Sequence, residues 1–304
     1  MSKLSNFIKQ NNIDSKKITY KNKAIIIELE KEKIVLKKDN KNIKDIYEYL
    51  SSRSFPYILY PEKITDNYSI YKYINEVNTI KEEKAIHLMN ILTDLQNRTT
   101  TYKEYTLDEI KEIYENNLSK INTLFQYYND LEESFSLHVY PSPYELLYLN
   151  NVSKIYNVLE YSRTINEKWY KIVNKNKKKR IVFLHNHLSL DHFIDDGMGK
   201  LINFNFAKYG IVIEDFKNFY KVHFRELDME SLFDAYQKKY KFSDSELLLL
   251  FLELMIPEKI KLTNNIMTNT LIISNLINYI DITRNFVLKE QEKNKKENNK
   301  EFNK

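Results

Sequence analysis

The run His185-Asn186-His187-Leu188-Ser189-Leu190-Asp191-His192-Phe193-Ile194, followed after a short turn by Leu201-Ile202-Asn203-Phe204-Asn205-Phe206-Ala207, decides how this chain is read. It follows Ile-Val-Phe-Leu at 181–184, four apolar residues in a row of the kind that fill a buried strand. Two further short strands are expected at 192–194 and 201–204, around the turn Asp195-Asp196-Gly197-Met198-Gly199. Three of the chain's six histidines fall within eight residues here. A lone histidine at a strand end is ordinarily a neutral core residue bonded to backbone, but three together ask for a chemical explanation.

Upstream, the pattern is β-like and then helical. Residues 23–29 and 33–38 read as a hairpin, 43–50 as a helix with Ile43, Ile46, Tyr47 and Leu50 on one face, and 57–60 and 68–74 as two more strands. From Glu82 the period becomes helical, with Ala85, Leu88, Met89, Leu92 and Leu95 aligned, and it stays so to Val173 except near Pro141 and Pro143. After Gly210, helices are expected near 213–239, 244–256 and 264–288. The remainder, 289–304, is Lys, Glu and Asn and reads as a flexible charged tail. Residues 247–256 are the longest apolar run, interrupted by Glu253 and about half of the ~20 residues that span a bilayer, so a buried helix is expected and no membrane span. Residues 1–15 have no uninterrupted apolar core and no small-residue cleavage site, which gives a cytoplasmic reading.

Composition excludes several chemistries. At 42% hydrophobic, 13% aromatic and 29% charged residues the 304-residue chain is an ordinary globular protein, long enough for two units. Without cysteine there is no disulfide scaffold, thiolate zinc site, iron–sulfur cluster or cysteine nucleophile. Only three glycines are present, so no Walker loop, GxGxxG or GxSxG can be written. Abundant Lys, Asn, Ile and Tyr with scarce Gly and Pro read as the output of an A+T-rich bacterial genome. The net charge of +5 comes from residues 1–25, the loop 171–180 and the tail, while the rest is acidic on balance. Basic segments scattered this way line no groove, which argues against a nucleic-acid partner.

The block around the histidines resembles the catalytic core of aminoglycoside and choline phosphotransferases and of spore-coat kinase-like proteins. In that family a strand ends in His-Gly-Asp, an Asn follows five residues after the Asp, and a hairpin leads to Ile-Asp-Phe. The resemblance places His185 at the family His, His187 at the catalytic Asp, His192 at the metal-binding Asn and Asn203 at the metal-binding Asp. Asp215, in the stretch 210–216, falls at the structural Asp, and Ile34-Val35-Leu36-Lys37 resembles the strand bearing the phosphate-binding lysine. Its acidic partner on the next helix is either Asp45 or Glu48. The implied fold is α+β, protein-kinase-like and two-lobed. It has a small β-rich lobe at 1–77, a helical lobe at 78–288 containing the catalytic-loop-like block 181–216, and the tail at 289–304.

The departures carry the functional expectation. Phosphoryl transfer needs an Asp to take the hydroxyl proton, and an Asn and an Asp to hold Mg²⁺ on the phosphates. None of the three is present, and imidazoles replace hard oxygen ligands poorly. The first expectation is a pseudokinase that binds or scaffolds, needs no cofactor, and takes a protein partner or a small molecule in the inter-lobe cleft; the resemblance adds a spore coat as a setting if the organism sporulates. The second is a divergent small-molecule kinase using ATP and Mg, with His187 as base, Lys37 on the phosphates, and His192 and Asn203 near the metal. The third is a zinc hydrolase using His185, His187 and His192, suggested by a two-residue-expanded version of the His-x-His-x-Asp-His pattern.

Overall fold

The computed structural model describes residues 3–302 except Asn22, Lys41 and Asp66, with side chains over 4–296. Its first elements are set by what must be buried: helix α1 (Lys3–Gln10) and strands β1 (Lys17–Lys21), β2 (Ala24–Glu28) and β3 (Lys33–Lys37). Ile25 and Ile27 alternate with outward residues, as do Ile34 and Leu36, and together they form one sheet face, which Leu4 and Phe7 of α1 cover. The sequence reading contains no helix at 3–10. Eight residues are too few to hold a helix in water, and this one is held by the sheet face it buries.

Helix α2 (Ile43–Ser52) buries Ile43, Ile46, Tyr47 and Leu50, as their spacing requires. Strands β4 (Lys63–Ile64) and β5 (Ser69–Lys72) complete an antiparallel sheet in the order β1-β2-β3-β5-β4, in which Val35 faces Tyr71 and Lys37 faces Ser69. The strand expected at 57–60 does not form. Pro56 and Pro61 flank it, and proline cannot donate to a ladder, so only Ile58 bridges to Leu201. Helix α3 (Lys81–Thr99) buries the periodic set Ala85, Leu88, Met89, Leu92 and Leu95.

The chain continues through β6 (Thr101–Glu104), α4 (Leu107–Ser136), α5 (Pro143–Leu149), α6 (Val152–Asn176) and β7 (Lys178–Leu184). Then come β8 (Phe193–Ile194), β9 (Lys200–Leu201), β10 (Lys208–Ile211), α7 (Glu214–His223), α8 (Met229–Lys239), α9 (Asp244–Met255) and α10 (Ile266–Phe302). The expected strand at 192–194 is a 3-10 turn at Leu190–His192 running into β8, and that at 201–204 ends early because Asn203 takes a left-handed conformation (φ 72°) and opens a second 3-10 turn, Phe204–Phe206. Gly199 is required in the turn between β8 and β9. Its φ is +79°, and a Cβ there would lie 2.5 Å from Ile91 Cδ1.

Two compact units result: one joins Met1–Thr100 with Phe183–Tyr209, the other Thr101–Val182 with Gly210–Lys304. The first unit reaches past residue 77 because the histidine block is fastened to the connector and to α3. Val77 N donates to Asp195 O (2.7 Å), and the buried Asp195 carboxylate takes Thr79 Oγ1 (3.2 Å) and lies 3.2 Å from His87 Nδ1. In the second unit α6 packs against α4 and α9, and α10 packs against α5 and α6. The expected tail is instead the continuation of α10. Glu290 is buried, and Lys289 and Lys293 reach Glu230 (2.7 Å) and Asp234 (3.1 Å) on α8, so charges that read as solvated are used in packing. No helix among the described residues is long and apolar enough to cross a membrane.

Candidate functional site

The polar corner of the first unit is built from the end of β3 and the two turns after β7. Alternation along β3 sends Lys37 to the face opposite Ile34 and Leu36. There its Nζ donates to Asn203 Oδ1 (2.6 Å). The αL backbone of Asn203, which asparagine tolerates better than most residues, turns its side chain back over the histidines. Asn203 Nδ2 then lies 2.9 Å from His192 Nε2 and 3.4 Å from His187 Nδ1.

The donors fix both tautomers. An ammonium can only donate, so the amide presents its oxygen to Lys37 and its two N–H bonds to the imidazoles. His192 therefore accepts at Nε2 and carries its proton on Nδ1, which donates to His187 O (2.7 Å) beside Ser189 Oγ (3.1 Å). His187 accepts at Nδ1 and carries its proton on Nε2. His187 is exposed, His192 is half-buried, and their ring centres are 4.6 Å apart. Burial, with the His187 and Lys37 charges adding to it, lowers the His192 pKa.

His185 lies beneath them, fully buried, with Nε2 2.8 Å from Ile202 O and its ring against Phe204. Burial pushes its pKa down to about 3, so it is a neutral structural residue at ordinary pH. Burial also lowers the Lys37 pKa, with Asp39 opposing and Lys23 reinforcing the shift.

Neither acidic candidate on α2 takes the place expected for it. Asp45 and Glu48 are exposed, and Glu48 lies 3.7 Å from Lys44. The inward position on that helix is Tyr47, whose hydroxyl meets Tyr71 OH at 2.8 Å, and Tyr71 donates to Asp39 Oδ2. Asp39 Oδ1 accepts from Asn205 Nδ2 (3.0 Å), which is 3.3 Å from Asn203 Oδ1, and Asn205 is itself clamped by Asn40. The lysine's acidic neighbour is thus two residues along its own chain. Tyr47, Tyr71, Asp39 and Asn205 escape a sequence reading; their one visible signal is the alternation that puts Tyr71 and Lys37 on the same sheet face.

His187, His192 and Asn203 do converge, as their spacing suggests, but not as metal ligands. Asn203 Oδ1 is occupied by a cation, both His192 nitrogens are hydrogen-bonded, and both Asp39 oxygens accept from neighbours. Among the described residues no group of three His, Asp or Glu is arranged to hold a metal ion. The zinc reading of His185, His187 and His192 finds no support in the nitrogen partners: His185 Nε2 is turned to Ile202 O, and both nitrogens of His192 are hydrogen-bonded within the protein. The same donor set does not fit Mg²⁺, which wants hard oxygen ligands. Asp215 lies in the first turn of α7, fully buried in the second unit.

No protein-family profile matches the sequence, and no curated protein is similar to it in sequence. Solved structures do match. An aminoglycoside phosphotransferase from Alicyclobacillus acidocaldarius is similar with a TM-score of 0.65 at 8% identity, over 92% of this chain and 93% of that one. A spectinomycin phosphotransferase bound to AMP has a TM-score of 0.53 at 11% identity, over 92% and 97%. A structure of spectinomycin phosphotransferase with ADP and spectinomycin has a TM-score of 0.51 at 10% identity, over 93% and 98%. At such identities the likeness establishes the fold: this chain has the α+β, kinase-like fold of the aminoglycoside phosphotransferases, with a small antiparallel sheet near its N-terminus and a large helical part.

Proposed function

We propose that this protein, which has a phosphotransferase fold, is a pseudokinase that acts by binding a ligand or partner and does not transfer phosphate from Mg·ATP. The observation that carries this reading is the chain Lys37–Asn203–His192, in which the ammonium engages Asn203 Oδ1 and the Asn203 amide engages His192 Nε2, so the donor atoms of the two positions the resemblance assigns to metal are already bonded within the protein. Phosphoryl transfer is mostly positioning and neutralisation of charge. With His187 where an Asp should accept the proton, and no acidic group at either metal position, three contributions are missing together. Loss of one preorganised electrostatic group costs on the order of 10²- to 10³-fold in rate. The compartment this reading implies is the cytoplasm, with a spore coat as its setting if the organism sporulates.

The spectinomycin phosphotransferase structures contain AMP or ADP, so a nucleotide is the first ligand to try. Thermal melting of the full chain with ATP, ADP and adenosine, each with and without Mg²⁺, is to be run beside a turnover assay on small hydroxyl compounds. The expected outcome is no Mg²⁺-dependent rise in Tm and at most trace turnover. Several turnovers per second would overturn the proposal in favour of a divergent kinase with His187 as base. The combined change His187→Asp, His192→Asn and Asn203→Asp should regain Mg²⁺ binding yet remain a poor kinase, because the hairpin between β1 and β2 keeps its glycine-free sequence.

A further inference from the structure

Among the described residues β1 is exposed along its whole length and pairs with β2 alone, whereas the opposite edge of that sheet is the two-residue β4. We propose that β1 is a docking edge for an extended acidic segment of a partner protein. The segment joins the sheet as an added antiparallel strand, with Asp or Glu opposite Lys17 and Lys21 and apolar residues opposite Ile18 and Tyr20. This goes beyond the pseudokinase reading and does not depend on it.

The backbone sets the bonding pattern. Along a strand, successive residues turn their N–H and C=O groups to one neighbour and then to the other. Leu29 N donates to Glu32 O (2.8 Å) at the β2–β3 hairpin, so Ile27 and Ile25 bond toward β3, and Glu28, Ile26 and Ala24 toward β1. Lys17, Thr19 and Lys21 lie opposite those three, and Ile18 and Tyr20 therefore direct their N–H and C=O groups away from the sheet. The side chains point the same way. Ile18 lies opposite Ile27 and Tyr20 opposite Ile25, on the face that α1 covers, yet they are 37% and 69% exposed. Apolar side chains on an added strand extend that core face outward. On the other face Glu28, opposite Lys17, is held by Lys33 (2.5 Å), and Lys21 lies opposite Ala24. The edge thus presents cations whose acids β2 does not supply. Two copies of β1 set antiparallel would place Lys17 against Lys21 at both ends, and like charges directly opposite destabilise a ladder. The same lysines that turn away a second copy favour an acidic strand.

Fluorescence anisotropy of a labelled peptide, Ser-Glu-Val-Thr-Val-Glu-Ser, titrated with the full chain tests the edge. One-to-one binding with a Kd below about 1 mM is expected. Ser-Lys-Val-Thr-Val-Lys-Ser should bind about tenfold more weakly, because two attractions become repulsions. Ser-Glu-Pro-Thr-Pro-Glu-Ser, equal in charge but without the two N–H donors, should also lose about tenfold. Replacing Lys17→Glu and Lys21→Glu together, at exposed positions, should invert the preference to the lysine peptide. Ile18→Pro removes one outward N–H and none that bonds β2, and it should weaken binding about fivefold. Hydrogen exchange reads the same contact by residue. The Ile18 and Tyr20 amides should exchange fast in the free chain and slowly with the acidic peptide bound, while that of Thr19, turned toward Ile26, should stay slow throughout. No binding of the acidic peptide below about 1 mM overturns the proposal. So does equal binding of the proline peptide, which would leave charge attraction alone, and so does unchanged exchange at Ile18 and Tyr20. Peptide binding and ATP turnover are measured separately, so failure here leaves the pseudokinase reading untouched, and turnover there leaves the docking edge untouched.

Discussion

Two groups of cations in this molecule are treated in opposite ways. In the second unit, Arg180 gives Nε to Glu246 Oε1 (2.8 Å) and Nη2 to the other carboxylate oxygen and to Lys241 O (2.8 Å), with its guanidinium over Tyr240. Lys179 beside it meets Glu109 at 2.7 Å and lies over Tyr105. Glu246 also closes the capping box of α9 by accepting from Ser243 N (2.8 Å). In the first unit half-buried Lys37 ends on an amide. The first arrangement matches charge to charge and holds helix to strand; the second sets an ammonium on a neutral amide oxygen.

The largest effect that would sharpen this contrast is at Glu246. Replacing it by alanine strands the Arg180 charge in a mostly buried setting and removes the cap, so urea unfolding should report a loss of about 3–5 kcal/mol. A loss under about 1 kcal/mol would break the contrast. Next in size is acid sensitivity from His185. Its folded pKa of about 3 lies below the 6.5 of a free imidazole, so the unfolded chain binds the proton first. The stability it contributes is complete above about pH 6.5 and falls as pH drops toward 3, with a slope near 1.4 kcal/mol per pH unit for this one group. Half-buried His192, lowered in the same direction, adds to the upper part of that window. Urea midpoints from pH 7 to 4.5 should flatten in His185→Gln, which can still donate to Ile202 O; an unchanged slope would show that the acid sensitivity lies elsewhere. The smallest effect is Lys37→Met. Exchanging a half-buried ammonium for an apolar chain of similar length should leave stability within about 0.5 kcal/mol or raise it, and a loss above about 2 kcal/mol would show that Lys37 is there to hold the fold.

How far the sequence shows all this follows from the range of each interaction. The strand at 181–184, the helix at 43–52 and the helix at 244–255 depend on periodicities within a dozen residues, and they are legible. So is the convergence of His187, His192 and Asn203, which one strand end and one hairpin accomplish. α1 has its apolar residues Leu4, Phe7 and Ile8 in helical spacing, yet its stability comes from the sheet it covers, which no local pattern announces. The end of α10 misleads in the opposite direction: Lys, Glu and Asn there read as solvated, while Lys289 and Lys293 find Glu230 and Asp234 some 59 residues back. Asp39 and Asn205 are 166 residues apart, and nothing in one chain's spelling links them.

The direction of the hydrogen-bond chain has a spectroscopic consequence. Because Lys37 can only give protons, it dictates that Asn203 turns its oxygen to the ammonium, and through that amide it sets which nitrogen of His187 is protonated, while His187 O independently holds the His192 proton on Nδ1. Two imidazoles 4.6 Å apart, His187 and His192, consequently hold opposite tautomers, Nε2–H and Nδ1–H. Ring nitrogen resonances distinguish these two forms. Any occupant that draws Lys37 off Asn203 frees the amide to rotate, and the His187 signal, whose tautomer rests on that amide, then changes identity. The protein thereby carries its own reporter for the loading of this corner, readable without a label on the ligand and without knowing beforehand what the ligand is.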